Sequence, residues 1–241
     1  MAVPGRRPAW VVLSGRPDKG TQNGVIRLSP GLCGEPAGRR APFPVPGAAA
    51  GHAVPRLAGM SMSIGRLDAV PALGRPDLLA PAVAEALAAL DGKLPAGAVG
   101  VAEIDPGLAD TAAFCERYGV ALDESVNCVV VAGRRDGETR FAACMVLATT
   151  RADVNGVVRR QLDVRKASFA ATDVAVSETG MEYGGITPIG LPARWPVFVD
   201  AAVAAAPRVV IGSGVRRSKL TLPGEALGRL PGAVVLAGLG R

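Results

Sequence analysis

Histidine is nearly absent from this chain: His52 is the only one in 241 residues. A His-dependent catalytic triad or a His-rich metal site is therefore excluded as the basis of its chemistry. The four cysteines, Cys33, Cys115, Cys128 and Cys144, have no short paired spacing, so neither a zinc knuckle nor a redox CxxC is expected. They read as reduced thiols, with Cys128 and Cys144 as small buried hydrophobes inside apolar strand patterns. Aromatic residues make up 4% of the chain, which leaves Val, Ala and Leu to build the core. No apolar run reaches the ~18 residues of a membrane helix. The apolar patch at 10–13, after Arg6 and Arg7, is too short for a signal-peptide core. A soluble, cytoplasmic protein with no membrane partner is the expectation.

What the chain does have is apolar content, at 49%, enough for one domain of about 150 to 200 residues plus an appendage. Residues 1–59 hold 9 Pro and 10 Gly with no period, a composition that predicts disorder. This stretch is either a basic tail or sequence upstream of the true start, and the second reading is favoured. Periodic patterning begins after Met60, so the domain is expected over 60–241. Charge is uneven: residues 61–124 carry 4 basic and 10 acidic side chains, residues 125–241 carry 15 and 9. A basic second half favours a phosphate-bearing partner.

Apolar spacing predicts an exposed amphipathic helix over 77–90, a strand over 98–104, and a helix over 108–118 entered through Asp105 and Pro106 and stopped by Gly119. Two apolar runs, 127–132 and 140–148, flank Asp136-Gly137 and predict a hairpin at the centre of a sheet. Asp153 suits the cap of a helix through 162, 164–169 reads as a strand carrying Arg165 and Lys166, and Asp173 suits the cap of a helix ending at Gly180. Strands at 197–199, 209–211, 220–222 and 234–236 and a helix at 225–230 complete a mixed α/β fold. The expected architecture is one compact domain with a central mixed, largely antiparallel sheet flanked by short helices.

Two glycine clusters stand out, Gly184-Gly185 ahead of Thr187 and Pro188, and Gly212-Ser213-Gly214 directly after the apolar run at 209–211. Glycine lets backbone approach a ligand closely. Read as N–H donors, the two loops are candidates to face one carbonyl or phosphate oxygen from two sides, as an oxyanion or anion site requires.

With those landmarks in order, the run from 127 to 236 resembles the YbaK/EbsC-type aminoacyl-tRNA deacylase domain, the family that includes the editing insertion of bacterial prolyl-tRNA synthetases. The resemblance rests on the hairpin, the helix from Asp153, the short helix ending in Thr179-Gly180, and both glycine loops, the second continuing into Val215 and Arg216. It implies hydrolysis of the ester joining a wrong amino acid to the 3′ end of a tRNA, with no cofactor or metal. The tRNA acceptor end is the implied partner, an aminoacyl-tRNA synthetase a further candidate, and no DNA partner is expected. Carried over by position, Gly184, Gly185, Gly212, Ser213 and Gly214 form the catalytic loops, while Thr187, Pro188, Lys166, Arg216 and Arg217 contact substrate.

One departure bears on the chemistry. Where the family begins its central strand with a lysine, this chain has Asn127, whose neutral amide donates hydrogen bonds but supplies no charge. Lys219, on the strand after the second loop, is the candidate to supply that cation from the opposite side. Three functional classes follow: a free-standing trans-editing deacylase; a non-catalytic relative that binds tRNA, an aminoacyl group or a protein; and a ligand-binding protein unrelated to tRNA.

Overall fold

Ten-residue strands β3 (Val126–Arg135) and β4 (Glu138–Leu147) pair antiparallel over their full length, from Val126 opposite Leu147 to Arg135 opposite Glu138. Asp136 and Gly137 join them with φ of 52° and 85°. That is the two-residue left-handed turn whose twist suits a hairpin, and Asp-Gly is a favoured sequence for it. These features belong to a computed structural model, which describes residues 61–94 and 97–241. The proposed tail over 1–59, His52 and Cys33 lie outside the described residues.

The hairpin is the centre of a five-stranded sheet. Strand β5 (Ala167–Phe169) pairs antiparallel with β3, while β6 (Val197–Asp200) lies parallel beside β4 and β9 (Ala233–Leu236) parallel beside β6. A second, four-stranded antiparallel sheet has the order β1 (Val70–Pro71), β2 (Gly100–Glu103), β8 (Ser218–Leu222), β7 (Val209–Gly212). The fold is mixed α/β and largely antiparallel, as the sequence suggests, and its strands divide between two sheets. They meet where Ser125 bridges Val210 and the Val210 N–H donates to the Glu124 carbonyl at 2.8 Å.

Helices cover both faces of the small sheet. On one face α1 (Pro81–Ala89) buries Val83 and Leu87 among Val101, Ile211, Leu220 and Leu222. On the other, α2 (Thr111–Tyr118) buries Phe114 and Cys115 against Ala102, Ile104 and Val210. Asp153 caps as expected, accepting from the Gly156 and Val157 N–H groups, and the helical segment that continues into α3 (Arg159–Gln161) packs Val158 against the large sheet.

Several expected boundaries move for local reasons. The helix expected from residue 77 starts at Pro81, because proline biases the preceding Ala80 toward an extended backbone, with ψ at 148°. Asp173 is not a cap: it sits in the first turn of α4 (Thr172–Thr179), where its carboxylate suits the positive end of the helix. Arg165 and Lys166 precede β5 rather than lying in it, and the last helix, α5 (Ala201–Ala205) having intervened, is α6 (Gly224–Leu227).

Cys115, Cys128 and Cys144 are free thiols. Cys128 lies opposite Met145 and Cys144 opposite Val129, so strand alternation sends the two thiols to opposite faces of the hairpin. Burial raises both, Cys144 to about 12, which leaves no thiolate to act as a nucleophile. No helix among the described residues is long and apolar enough to cross a membrane.

Candidate active site

The two glycine loops are packed onto each other. The Gly214 N–H donates to the Gly185 carbonyl at 2.7 Å, the Glu182 N–H to the Gly214 carbonyl at 2.8 Å, and the Gly185 N–H to the Glu182 carbonyl at 2.9 Å. A Cβ on Gly212 would strike the Gly185 carbonyl oxygen, and one on Gly185 would lie 2.7 Å from that of Val215. At these positions glycine makes room for the other loop, where the sequence suggested access for a ligand. Two of the anticipated N–H donors, Gly185 and Gly214, already have backbone acceptors.

Ser213 works as a clip. It is fully buried, and its hydroxyl lies 2.7 Å from the Ser218 hydroxyl and 3.0 Å from the Ser218 carbonyl. Ser218 in turn donates to the Leu78 carbonyl at 2.5 Å, tying the second loop to the segment before α1.

Above this frame sits Lys219. Its Nζ donates to the Ala109 carbonyl at 3.2 Å and the Gly184 carbonyl at 3.3 Å, and lies 5.4 Å from the centre of the Phe114 ring. Burial, helped by the Arg216 charge and opposed by Asp110 and Cys115, lowers its pKa to about 8. The Asn127 carbonyl oxygen Oδ1 accepts from the Thr111 hydroxyl at 2.9 Å. Ala109 and Thr111 flank Asp110, the residue that opens α2, so Lys219 and Asn127 are fastened to the same turn. An ammonium has three N–H donors and a side-chain amide two. One donor of Lys219 and both of Asn127 have no protein acceptor among the described residues.

The remaining anticipated residues divide. Arg216 straps the first loop down, donating to the Tyr183 carbonyl at 3.0 Å and the Pro106 carbonyl at 3.1 Å, while its own backbone N–H donates to Glu182. Arg217 is exposed and donates to the Asp77 carbonyl. Pro188 is buried, and so is Thr187, whose hydroxyl has no hydrogen-bond partner. Lys166 is elsewhere, beside Gly133 at the far end of β3. Sequence reasoning overlooked Asp110, Thr111 and Phe114. An available signal was Asp110 directly before Thr111, a residue type that commonly opens a helix.

Residues 105–230 match the aminoacyl-tRNA editing domain, slightly more than half of the chain. The chain belongs to the aminoacyl-tRNA editing-domain family. The match takes in the turn before α2, Asn127, both glycine loops and Lys219. Solved structures share the fold. One is described as a candidate trans-editing enzyme for prolyl tRNA synthetase, at 21% identity and a TM-score of 0.54, over 66% of this chain and 97% of that one. A scaffold protein used for computational epitope grafting aligns at 22% identity and 0.54, over 66% of this chain and 97% of that chain. A hypothetical protein aligns at 22% and 0.52, over 58% of this chain and 90% of that chain. Strands β1 and β2 and helix α1 of this editing-domain protein precede the matched residues, yet β2 pairs with β8 inside them.

Proposed function

We propose that this editing domain hydrolyses the ester of a mischarged aminoacyl-tRNA, with the Lys219 ammonium as the catalytic cation and residues 60–241 as the working unit. The observation that carries the reading is the half-committed donor set at one turn. Among the described residues, Lys219 is held by two carbonyls and keeps one N–H free, and Asn127 is held through its oxygen and keeps its NH2 free. Fixed donors in a partly dry site suit the oxyanion that develops when water attacks an ester carbonyl, because they need no reorganisation as charge forms.

In this mechanism the ester carbonyl oxygen accepts from Lys219 and Asn127. Water adds to the carbonyl carbon, the C–O bond to the ribose breaks, and the leaving ribose oxygen takes a proton. The vicinal hydroxyl of the terminal ribose assists in the role a histidine would otherwise fill. Gly184, Gly185, Gly212, Ser213 and Gly214 shape the pocket by holding the loops together. Thr187 and Pro188 lie buried beside the first loop, and the unpartnered Thr187 hydroxyl is the group assigned to a polar atom of the substrate such as its amine. Arg216 and Arg217 serve as frame, with their remaining donors near the terminal phosphates. Sieving by a small pocket adds to the roughly 1–3 kcal/mol with which a synthetase distinguishes one methylene.

The test is release of labelled amino acid from a panel of mischarged tRNAs, alanine on the proline tRNA included, by the full chain. Release above the uncatalysed rate is expected for at least one small amino acid. A second reading, a non-catalytic relative that binds the aminoacyl end, is favoured by Asn127 and by the paired Gly185 and Gly214 amides. It predicts tRNA binding with no release across the panel.

A further inference from the structure

The hairpin tip concentrates the positive charge of the second half of the chain. Segments 134–140 and 159–166 together hold seven basic and three acidic residues, a net +4, where residues 125–241 as a whole carry 15 basic and 9 acidic side chains. Gly133 lies opposite Ala167 in the β3–β5 ladder. The ladder ends at that pair, with Arg134 and Lys166 the next residue on either strand and Arg165 at a bend beyond. Like charges brought together there oppose further pairing.

Part of the cluster is neutralised from within. Asp163, at a φ of 53°, pairs with both Arg135 and Arg140, and Arg140 also donates to the Leu162 carbonyl at 3.1 Å. Arg134, Arg165 and Lys166 have no ion pair among the described residues. Arg134, Arg135 and Arg165, with Asp136 and Gly137 of the turn, wall an open recess of about 530 Å³, in which Asp136 pairs with Arg135 and leaves Arg134 and Arg165 uncompensated. No aromatic ring lines it, so it offers charge and hydrogen bonds rather than a stacking platform for a base.

Position then selects the partner. Arg135 is eight residues along β3 from Asn127, about 26 Å at ~3.3 Å per residue. A stacked strand spaces its phosphates at ~3.4 Å of axis, so this is on the order of seven or eight nucleotides. We infer that the recess at the hairpin tip is a second anchoring surface, which grips the phosphate backbone of the double-stranded acceptor stem while the 3′ end lies at Lys219. The inference rests on the editing reading for the 3′ end, but the grip itself is tested separately.

The experiment uses the full chain and two probes, fluorescent uncharged tRNA at several salt concentrations and an aminoacylated CCA trinucleotide too short to reach the tip. Arg134→Ala with Arg165→Ala is expected to raise the Kd for tRNA about tenfold. It is also expected to flatten the slope of log K against log salt by about 1 to 2, the contribution of one or two phosphate contacts. Release from the trinucleotide stays at the wild-type rate. Arg134→Glu with Arg165→Glu weakens tRNA binding further. An unchanged Kd and slope in both double variants overturns the inference, whatever the wild type hydrolyses. Absence of release by the wild type from both the trinucleotide and the panel of mischarged tRNAs overturns the hydrolytic reading alone, and the grip then stands or falls on the tRNA titrations.

Discussion

The two ends of β3 handle positive charge in opposite ways. At the Asn127 end Lys219 is drawn in among two carbonyls and an aromatic ring, and burial, helped by the nearby Arg216 charge, brings its pKa down to about 8. At the hairpin end several cations crowd at the surface with Asp163 as the shared counter-charge. A buried donor acts over one hydrogen-bond length and is poorly screened, whereas exposed charges act over a Debye length of about 8 to 10 Å and fade with salt. One strand thus joins a site suited to chemistry with a surface suited to holding a polyanion.

Removing the buried cation is the sharpest way to break that contrast. Lys219→Met should lower the rate of amino-acid release by about 100- to 1,000-fold, the usual loss for one oxyanion donor, at low and high salt alike. Thermal or denaturant unfolding should show the variant folded. It should also lack the wild type's rise in stability from about pH 8 to 10.5, because in that window the unfolded chain holds the Lys219 proton and the native protein does not. Next in size is Gly212→Ala, whose Cβ meets the Gly185 carbonyl. Overpacking of this kind costs about 1 to 3 kcal/mol, read as a lower denaturant midpoint, with release falling as the loops part. The Arg134→Ala, Arg165→Ala effect on tRNA affinity, about tenfold (~1.4 kcal/mol), should shrink as salt rises, and its persistence at high salt would erase the contrast. Smallest is Asn127→Lys, for which no gain in release is expected, since Lys219 already serves as the cation and a second ammonium at the same turn repels it. A large gain would mean that the activity was lost with the family lysine.

Much of this was legible in the sequence because it is local. Asp136-Gly137 marks the hairpin, Asp153 its helix, and Gly119 and Gly180 the ends of α2 and α4, each through chemistry confined to a few residues. What was hidden depends on who meets whom. The glycine loops look alike whether a ligand or another loop fills the space beside them, and only the tertiary contact between Gly212 and Gly185 decides it. Lys219 and Lys166 read alike as basic residues near strands. The fold buries the first against Ala109 and Gly184, and leaves the second exposed at the hairpin tip. The Asp110–Thr111 turn is marked in the sequence only as a helix start, and that it gathers Lys219, about a hundred residues on, with Asn127 depends on the fold.

The most direct test of the Lys219 mechanism is the pH profile of single-turnover release from a mischarged tRNA by the full chain, after subtraction of the uncatalysed rate. The ammonium is the active form, so the protein-dependent rate should hold to about pH 7 and fall above it with an apparent pKa near 8. In Lys219→Met that fall should vanish along with most of the rate. A protein-dependent rate that climbs steadily through pH 9 in the wild type, or that survives intact in the methionine variant, would contradict the mechanism.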